Sequence, residues 1–507
     1  MKKRNNNVWL WVLVPLLYAC STQDEKETTI INSVQLEHSI LSVSKEAAGL
    51  QVPWDLQYDH INHAILFSEI GGSIRRLDIR TKNVILVDSL KDVYHQRTLG
   101  LLGMSLYQPE HEQAYLYLSY TSKSDSLIFS NLYRYDYSLE GNLSNPKLLL
   151  QIPGNTGHNG SRVIVSTDKK VYWATGDAAS DTFAQDSSSL NGKILRLNLD
   201  GTIPADNPIT NSYVYAWGFR NMQGLTHNAN GTIYTSEHGD AIEDEINLIQ
   251  PLKNYGWPQI EGMIDTEKEK AIAKLSARQE PIKSWTPVVA PSGMAYYGNH
   301  NIPEWKNSLI LATLKNQSLR ILKLSADGKK ITDENVLFKD QFGRLRSVLV
   351  VPNGDIYFCS SNRDWNPQKG FPKPDDDVIY RLRLSTKATA PIIKPEASIS
   401  VVPTVKNGQT LYDAYCASCH KSDGKGLKNT FPSLAQSESV NGEHKTLLKL
   451  LLNGLSGQEI KGIKYEGAMP AFSFLKDEEV IEIANYIRTH FGNNASTINQ
   501  QNLTSLR

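Results

Sequence analysis

The most distinctive chemical pattern in this chain is Cys416-Ala417-Ser418-Cys419-His420, two cysteines separated by two residues and followed at once by a histidine. This C-x-x-C-H spacing is typical of the covalent attachment of a c-type haem. Each thiol adds across a vinyl group of the porphyrin, and the adjacent imidazole supplies an axial nitrogen to the iron. The pattern therefore predicts haem c bound through Cys416, Cys419 and His420, and with it a role in electron transfer.

The iron needs a second axial ligand on the opposite face of the porphyrin, and Met469 is the best candidate. A thioether opposite a histidine raises the reduction potential, and Pro470 restricts the backbone of the loop that presents the sulfur. Because most methionines only fill space in a core, His444 and His490 remain rival ligands. The sequence thus predicts Met469 without excluding the two histidines.

Helical periodicity surrounds the haem motif. Residues 477–490 are predicted to form a helix whose apolar face consists of Val480, Ile483, Ala484 and Ile487. With the segment that leads into Cys416, the region 404–492 resembles a class I cytochrome c. The resemblance implies a small all-α domain in which this last helix crosses the first one.

The opposite end of the chain indicates export. Lys2, Lys3 and Arg4 precede an apolar run over residues 8–19, which is too short to span a bilayer and is typical of a secretory signal. The stretch Leu17-Tyr18-Ala19-Cys20 resembles a bacterial lipobox. This resemblance implies a signal peptide over residues 1–20 and a lipid on Cys20.

The residues after the lipobox suggest where the protein is held. Ser21 rather than an aspartate follows Cys20, which by the same resemblance favours the outer membrane over the inner one. Residues 21–49 are expected to be a tether and a lead-in, because their first part is polar. We expect a lipid-anchored protein of the bacterial outer membrane, on its periplasmic side or at the cell surface.

Charge and cysteine content argue against a nucleic-acid partner and against structural disulfides. In 507 residues, 53 Lys and Arg balance 53 Asp and Glu, so that no basic surplus points to a nucleic-acid partner. Of the four cysteines, Cys359 alone has no predicted modification. Its apolar strand context predicts a small buried residue, and the sequence supports no disulfide.

Between the tether and the haem motif, residues 50–384 repeat a short strand pattern six times. The interval suits one four-stranded blade of a β-propeller, and six occurrences predict six blades. A β-sandwich is the alternative all-β fold. The six occurrences are residues 64–69, 115–120, 171–175, 232–237, 308–313 and 355–360.

Several motifs within residues 50–384 resemble, in order, the quinoprotein glucose/sorbosone dehydrogenases. The most specific is Trp217-Gly218-Phe219-Arg220-Asn221-Met222-Gln223-Gly224-Leu225. The resemblance implies a six-bladed propeller that binds pyrroloquinoline quinone (PQQ) and oxidises a sugar. The other matching segments are Pro53-Trp54-Asp55-Leu56, Gly100-Leu101-Leu102-Gly103-Met104, Gly157-His158-Asn159-Gly160-Ser161-Arg162, Ser236-Glu237-His238-Gly239-Asp240, Asp244-Glu245-Ile246-Asn247-Leu248 and Asn254-Tyr255-Gly256-Trp257-Pro258.

PQQ carries three carboxylates beside an ortho-quinone, so its pocket must combine several cations with a planar apolar slot. The resemblance assigns the carboxylates to Lys315, Arg344, Arg346 and Asn221. The two arginines lie two residues apart, which places both side chains on one face of an extended segment. Solvated surface charge is the alternative for such residues, although the apolar neighbours of the arginines argue against it.

Oxidation of a sugar at its anomeric carbon requires removal of the hydroxyl proton as hydride leaves, so a base must lie within hydrogen-bonding reach. The resemblance gives this role to His158, and a histidine that is neutral at pH 7 can accept the proton. A purely structural histidine is the alternative. Arg220 is expected to stabilise the negative charge that develops on the quinone oxygen.

The resemblance also implies a calcium ion that polarises the same carbonyl. Main-chain oxygens near Gly239 and Asp240 would hold it, and the Asp240 carboxylate, where soluble relatives can have proline, offers another ligand. A second calcium site is implied at Asp244, Glu245 and Tyr255, with a surface acidic cluster as the alternative.

Two departures from the family pattern concern the substrate. Gly157 precedes His158 where some glucose-oxidising relatives carry an aspartate, and Thr98 stands where they carry a sugar-contacting glutamine. Discrimination among sugars depends on such hydrogen-bond partners. We therefore expect oxidation of an aldose or a related sugar, without a predicted preference.

The remaining segments join the two domains. Residues 385–403 contain several prolines and are expected to be a semi-rigid linker, and the polar residues 493–507 are expected to be a disordered tail. Reduced quinone must release its two electrons singly, and haem iron carries one at a time. The sequence thus predicts a quinohaemoprotein that passes electrons from sugar to quinone, to its own haem and to an external redox acceptor.

Two other functions fit parts of the pattern. A propeller that binds a glycan or a protein without catalysis would leave the cytochrome as a separate relay. Such a scaffold has no need of a tricarboxylate pocket beside a base. A calcium-dependent lactonase-type propeller would not need an attached haem.

Overall fold

The computed structural model describes residues 29–368, 370–397, 407–455, 457, 459–460, 462–465, 468–504 and 506. The predicted signal peptide over residues 1–20, Cys20 and the first part of the predicted tether lie outside the described residues. In the part of the chain that is described, no helix is both long and apolar enough to cross a membrane.

Most of the chain folds into six antiparallel sheets arranged as a propeller, which confirms the predicted six-bladed architecture. We number the blades along the chain, and four strands make up each of them. The first two strands are β1 (Ile30–Gln35) and β2 (Ile40–Ala47). Blades 1 to 3 contain β3 (Pro53–Asp59), β4 (Ala64–Glu69), β5 (Ser73–Asp78), β6 (Val84–Ser89); β7 (Leu101–Tyr107), β8 (Ala114–Ser124), β9 (Leu127–Tyr137), β10 (Leu143–Pro153); and β11 (Gly160–Val165), β12 (Lys170–Thr175), β13 (Lys193–Asn198), β14 (Val214–Trp217).

The second half of the ring continues the same order. A helix, α1 (Glu267–Leu275), is inserted before the last strand of blade 4, and a short 3-10 helix (Pro303–Trp305) lies within blade 5. Blades 4 to 6 contain β15 (Met222–His227), β16 (Ile233–Glu237), β17 (Asp244–Ile249), β18 (Lys283–Trp285); β19 (Pro291–Tyr297), β20 (Ser308–Thr313), β21 (Ser318–Leu324), β22 (Ile331–Leu337); and β23 (Leu345–Val350), β24 (Ile356–Ser360), β25 (Ile379–Ser385) with β2.

The repeated apolar pattern of the sequence corresponds to the second strand of every blade. All residues of β4, β16, β20 and β24 are buried. Each of these strands lies between two strands of its own sheet, and the faces of its sheet pack on the neighbouring blades. A strand that is covered on both faces has a continuous apolar sequence rather than an alternating one. This burial explains why the second strands alone stand out from the sequence.

The ring is closed by the N-terminal strands. β2 pairs with β25 as the fourth strand of blade 6, with Leu41 opposite Leu384 and Val43 opposite Leu382. β1 extends the same sheet. Blade 6 therefore joins the start of the propeller to its end, and every blade has two packed neighbours.

The predicted linker is partly attached to the propeller. β26 (Ile392–Ile393) pairs with β1 at the edge of blade 6, and β27 (Glu396–Ala397) pairs with β22 at the edge of blade 5. These pairs bind residues up to 397 to the outside of the ring. The rest of the predicted linker, from residue 398, lies outside the described residues.

The C-terminal domain is small and mainly helical, as the sequence predicts. Its first helix contacts α6 more extensively than it contacts any other described helix, so the predicted crossing of first and last helix is present. Buried side chains of the domain form one core that includes Cys416. Its elements are α2 (Gly408–Tyr415), α3 (Ala417–His420), α4 (Glu438–Asn441), α5 (His444–Asn453), β28 (Glu459–Ile460), β29 (Ile463–Lys464), α6 (Asp477–Thr489) and α7 (Gln500–Thr504).

The structure contradicts the expected disordered tail over the described residues 493–504. Residues 500–504 form α7, and both Ile498 and Leu503 are buried in the haem-domain core. The Asn485 side chain also bonds the backbone of Ile498 in both directions, at 3.0 and 2.6 Å. A few scattered apolar residues within a polar segment are too weak a pattern to predict a helix, yet Ile498, Leu503 and Leu506 suffice to pack it against the core.

We expect Leu503→Ala to lower the free energy of unfolding of the haem domain by about 2 to 4 kcal/mol, because it deletes a fully buried side chain. Denaturant unfolding followed by haem absorption measures the change. Gln501→Ala, at an exposed position of the same helix, serves as the control and should have little effect. Equal midpoints for the two variants would show that α7 does not stabilise the domain.

Candidate functional site

Topology brings the predicted site residues to one face of the propeller. In a four-stranded meander, the link from the second strand to the third and the link to the next blade lie at the same end of the sheet. We call this end of the ring the pocket face. The residues there are His158 before β11, Arg220 and Asn221 before β15, Gly239 and Asp240 before β17, Lys315 before β21, and Arg344 and Arg346 at the start of β23.

His158 is held by a buried carboxylate. Its Nδ1 lies 3.0 Å from Oδ1 of Asp177, whose side chain is almost fully buried. Asp177 also accepts hydrogen bonds from Trp257 Nε1 at 2.8 Å and from the Ala179 amide at 2.8 Å. Because these donors fix the carboxylate, it selects the imidazole tautomer with hydrogen on Nδ1. The lone pair on Nε2 then remains available to accept a proton.

The backbone beside His158 leaves no room for a side chain. A Cβ atom at Gly176 would lie 1.9 Å from the carbonyl oxygen of His158. His158 itself has a left-handed backbone with φ of 52°, which is unfavourable for a residue other than glycine. The close approach of these two loops therefore positions the His158–Asp177 pair, at an energetic cost to the backbone.

Arg220 lies over the indole ring of Trp257, with its guanidinium carbon 5.2 Å from the ring centre. Its Nη2 donates to Oδ1 of Asp240 at 2.6 Å, and its backbone amide donates to the buried Glu237. The Nε–H of Arg220 is buried and has no hydrogen-bond partner among the described residues. A buried donor without an acceptor is costly, so this group is directed to an acceptor that the described chain does not supply.

Arg344 and Arg346 share one carboxylate. The nearest nitrogens lie 3.8 Å and 2.5 Å from Oδ2 of Asp364, whose side chain is 3% exposed. Burial lowers the pKa of Arg344 to about 10, and Asp364 only partly offsets this effect. The pKa of Arg346 is also lowered, mainly by burial. The pair therefore carries more positive charge than its immediate partner balances.

A third guanidinium belongs to the same cluster. Arg162 pairs with Asp55 at 2.5 Å, and the Arg162 and Arg346 guanidinium carbons lie 4.3 and 5.6 Å from the Trp54 ring centre. Arg162 is 4% exposed. Its Nη2, like Nε of Arg344, is buried without a partner among the side chains and backbone that the structure describes. The sequence analysis did not assign Arg162 a role.

Lys315 and Asn221 complete the predicted carboxylate-binding set. The Lys315 Nζ donates to the carbonyl oxygen of Ala414, in the haem domain, at 2.5 Å. Burial lowers the pKa of this lysine, and the charge of Asp244 opposes that change. Asn221 accepts a hydrogen bond from the Gly160 amide at 3.2 Å. The structure thus places Lys315 between the pocket face and the cytochrome.

The predicted calcium residues surround a small acidic cavity beneath Arg220, although the structure distributes them unequally. Glu245 and Tyr255 line the cavity, and Asp244 does not. The Asp244 carboxylate instead accepts three backbone hydrogen bonds, from Gly239, Val289 and Ala290. The Tyr255 hydroxyl donates to the Leu248 carbonyl at 2.6 Å, within blade 4. Asp244 therefore anchors loops.

Carboxylates that the sequence analysis did not assign take part in this cavity. Glu237 and Glu261 line it together with Glu245 and the Gly239 backbone. Burial raises the pKa of Glu261 to about 7 and that of Glu245 to about 8. It also raises the pKa of Glu237, with a further contribution from the charge of Glu245. In the described ranges, no three His, Cys, Asp or Glu side chains alone are arranged to hold a metal ion.

The haem motif has the hydrogen bonding that an axial histidine needs. His420 is 8% exposed, and its Nδ1 lies 2.8 Å from the Pro432 carbonyl oxygen. A backbone partner on Nδ1 fixes the tautomer and leaves Nε2 as the ligand atom. Cys416 is buried and Cys419 partly buried, and neither is paired in a disulfide among the described residues, so that both sulfurs suit thioether attachment.

Of the candidate second ligands, Met469 has the most suitable surroundings. It packs against the haem-domain core, and its backbone pairs with that of Leu455 in both directions at 2.8 Å. By contrast, Nε2 of His444 lies 3.2 Å from the Asn502 side chain. His490 is exposed, and its Nδ1 bonds the Tyr486 carbonyl. His444, at the start of α5, and His490, just after α6, thus each have another hydrogen-bond partner.

Two residues of the pocket face could not be found from the family motifs quoted for the sequence. Asp177 holds His158 from the loop after β12, and Asp364 holds both arginines from the loop after β24. Each follows its strand by only a few residues, and an acidic residue at a strand end was the only signal available.

Comparison with known proteins now assigns the propeller. The sequence model of the family "Glucose / Sorbosone dehydrogenase" matches residues 50–366, and that of "Cytochrome c" matches residues 405–491. The first match covers more than half of the chain. The chain belongs to the glucose/sorbosone dehydrogenase family. A cytochrome c domain follows this propeller along the chain.

Individual relatives agree with this assignment. The aldose sugar dehydrogenase YliI of Escherichia coli is 29% identical over 342 residues, which are 64% of this chain and 91% of the relative. The solved PQQ-bound aldose sugar dehydrogenase from Streptomyces coelicolor is 30% identical, with a TM-score of 0.59 over 68% of this chain and 98% of that chain. Cytochrome c-552 of Thermus thermophilus is 42% identical over 91 residues, which are 17% of this chain and 69% of the relative.

We expect Met469→Ala to lower the haem reduction potential and to abolish the sulfur-to-iron charge-transfer band of the oxidised protein, because the thioether is lost as a ligand. Redox titration and visible spectroscopy measure both changes. His444→Ala and His490→Ala are the matched controls. If a histidine variant lowered the haem reduction potential and Met469→Ala left it unchanged, the axial ligand would be that histidine.

Proposed function

We propose that this family member is a quinohaemoprotein sugar dehydrogenase. It oxidises the C1 hydroxyl of an aldose or a related sugar to the lactone with PQQ, and it passes the electrons to its own haem c and on to an external acceptor. The observation that carries the proposal is a buried surplus of positive charge beside the His158–Asp177 pair, on the face that contacts the haem motif.

The chemistry of the donors fits a tricarboxylate quinone. Three buried guanidinium N–H groups, on Arg162, Arg220 and Arg344, have no acceptor among the described residues. An anionic, planar ligand would supply acceptors to such groups and offset their charge. Lys315 and Arg346 border the same region. These five cations therefore offer donors to three carboxylates and a quinone oxygen.

His158 is the proposed base. When PQQ is bound, its quinone carbonyl carbon supplies the hydride acceptor. As the C1–H electron pair leaves the sugar, the C1 hydroxyl proton moves to His158 Nε2, and the C1–O bond becomes a carbonyl. Asp177 keeps the imidazole oriented and stabilises its protonated form. Arg220 presents N–H groups to the oxygen on which negative charge develops.

We also propose calcium on the main-chain carbonyls of Gly239 and Asp240. The donor set around them is rich in oxygen, which suits this hard cation. Carboxylates of Glu237, Glu245 and Glu261 lie about the same cavity and have raised pKa values because burial leaves their charge uncompensated. A bound cation would favour their ionised forms. Asp240, which pairs with Arg220, links this region to the quinone pocket.

The proposed partners are a sugar, an external redox acceptor such as a cytochrome or respiratory-chain component, and a membrane, but no nucleic acid. The membrane contact would be made by a lipid on Cys20, which holds the protein at the outer membrane of a bacterium, on the periplasmic side or at the surface. The lipobox resemblance supports this location. Labelling with a radioactive fatty acid, lost in Cys20→Ser, tests it.

Reconstitution tests the function directly. The haem-loaded protein is given PQQ and calcium, quinone binding is verified by its absorption, and a panel of aldoses is added. We expect sugar-dependent reduction of the haem and of an artificial dye. If quinone is bound and neither acceptor is reduced by any sugar, the propeller is a binding module and the proposal fails.

His158→Ala is expected to lower kcat of dye-linked sugar oxidation by about 10² to 10⁴-fold, the usual contribution of a general base. His227→Ala, in a strand end on the opposite face of blade 4, is the control and should keep full activity. Quinone titration should be unchanged in both variants. Undiminished turnover in His158→Ala would remove the base assignment.

Asp177→Asn tests the positioning of the base. An asparagine side chain has one acceptor oxygen, so it cannot accept hydrogen bonds from both His158 and Trp257 as the two carboxylate oxygens do. The imidazole then loses its fixed tautomer. We expect kcat to fall at least tenfold with a smaller change in KM, and Asp181→Asn, an exposed acid on the same loop, to have no effect. A change in KM alone would assign Asp177 to sugar binding instead.

A further inference from the structure

The haem domain rests on the pocket face through several propeller loops. Ala241, from the loop after β16, packs against the haem-domain core. The guanidinium of Arg97, from the link between blades 1 and 2, lies 5.7 Å from the ring centre of Phe431. These contacts join Lys315 on the same side of the propeller. The haem domain therefore lies against the pocket face of the propeller.

Trp365 makes the most direct contact with the haem motif. Its Nε1 donates to the carbonyl oxygen of Ser418, between the two haem cysteines, at 3.1 Å. The Lys421 ammonium, one residue beyond His420, lies 5.2 Å from the centre of the Trp365 ring system. Phe431 approaches the same indole, with a centroid separation of 6.3 Å. Trp365 thus contacts a residue before and a residue after the predicted axial ligand His420 along the chain.

The residue before Trp365 reaches in the opposite direction. Asp364 binds Arg346 at 2.5 Å and lies 3.8 Å from Arg344, while Trp365 binds Ser418. Adjacent residues of one loop therefore connect the anion-binding arginines to the haem-attachment segment. Because Asp364 is fixed by two buried charges, the position of Trp365 is fixed with it.

Lys315 makes a second connection at a favourable point of the haem domain. Ala414 lies in the last turn of α2, immediately before the haem motif, where carbonyl oxygens carry partial negative charge. An ammonium group has three donors and no acceptor. Lys315 can therefore bind Ala414 and a carboxylate in the pocket at the same time.

We infer that Trp365 is a positioning residue that seats the haem-attachment segment over the quinone pocket and so makes the haem the direct, intramolecular acceptor. This inference rests on the proposed function. One electron passes to the ferric haem at a time, and the external acceptor reoxidises the haem before the second electron follows. Two protons leave as the quinol returns to quinone. Removal of Trp365 uncouples the haem from the pocket without altering the sugar chemistry.

The first experiment needs no activity. Haem-loaded, quinone-free protein is studied by small-angle X-ray scattering and by hydrogen exchange of the loops around residues 241, 315 and 365. Trp365→Ala should increase the radius of gyration and speed exchange in these loops. Phe371→Leu, whose ring lies against Lys373 of the same loop, should match the wild type. Unchanged scattering and exchange in Trp365→Ala would overturn the inference.

The second experiment separates docking from chemistry. Trp365→Phe keeps an aromatic ring and loses the Nε1–H donor. One net hydrogen bond of ordinary strength corresponds to about a fivefold change, so we expect about a fivefold slower first-order reduction of haem after sugar is mixed with quinone-loaded protein. Quinone affinity and dye-linked kcat should not change. The wild-type rate constant should be independent of protein concentration.

Failure of the two proposals can be told apart. If the wild type reduces neither dye nor haem, the proposed function fails and the scattering experiment alone decides the docking role of Trp365. If the wild type reduces both and the two Trp365 variants reduce haem at the wild-type rate, the positioning role is wrong. Slower haem reduction together with weaker quinone binding would assign Trp365 to the quinone pocket, and this result would also overturn the positioning role.

Discussion

The main constraint on this structure is a surplus of positive charge buried at the centre of the ring. Three guanidinium groups, on Arg162, Arg344 and Arg346, face two carboxylates, on Asp55 and Asp364. Burial pushes the pKa of Asp55 upward against the charge of Arg162, which can only enlarge the surplus. Buried charge that is not fully paired destabilises a fold. The ring must therefore be held together by other interactions, and an anion such as the proposed cofactor would offset part of this charge.

Closure of the propeller provides that support. The arginines come from the inner strands of blades 3 and 6, and Asp55 and Trp54 come from blade 1. β3 of blade 1 packs directly beside β23 of blade 6, and β2 completes blade 6 by pairing with β25. Close packing at the centre adds to this, since a Cβ atom at Gly103 of blade 2 would lie 2.0 Å from the Ser161 carbonyl of blade 3. The electrostatic site is thus a property of the closed ring and not of any single blade.

This dependence explains what could be predicted from the sequence. The haem motif is local, so five consecutive residues suffice to identify it, and each second strand is apolar because both of its faces are covered. The partners of the site residues are different in kind. Asp177 pairs with a residue 19 positions away, Asp364 with one 18 positions away, and Trp365 with one 53 positions away. None of these pairs leaves a periodic pattern.

The second calcium assignment shows the same limit. The family resemblance implies a calcium site at Asp244, Glu245 and Tyr255. In the structure, however, backbone amides donate to the Asp244 carboxylate, and the Tyr255 hydroxyl donates to a carbonyl within blade 4. Glu237, from a strand end, and Glu261, from the loop before α1, line the cavity together with Glu245 and Tyr255, whereas Asp244 does not. Which acid faces a cavity depends on the loop that carries it, and loop geometry follows from tertiary contacts.

The attachment of the haem domain combines a short span with a small interface. β26 and β27 hold the chain to the propeller up to Ala397, and the described haem domain begins at Asn407. The ten residue steps from Ala397 to Asn407 can span at most about 34 Å, since an extended chain advances about 3.4 Å per residue. So short a connection gives a high effective concentration of the haem at the pocket face, and few contacts then suffice to dock it. Few contacts would also suit the proposed electron route, in which the haem receives electrons at the pocket and keeps an edge exposed to a partner. Lys315 and Trp365 each donate one hydrogen bond to the haem domain, and Trp365 adds ring contacts with Lys421 and Phe431; each of these interactions is individually weak enough to suit such a route.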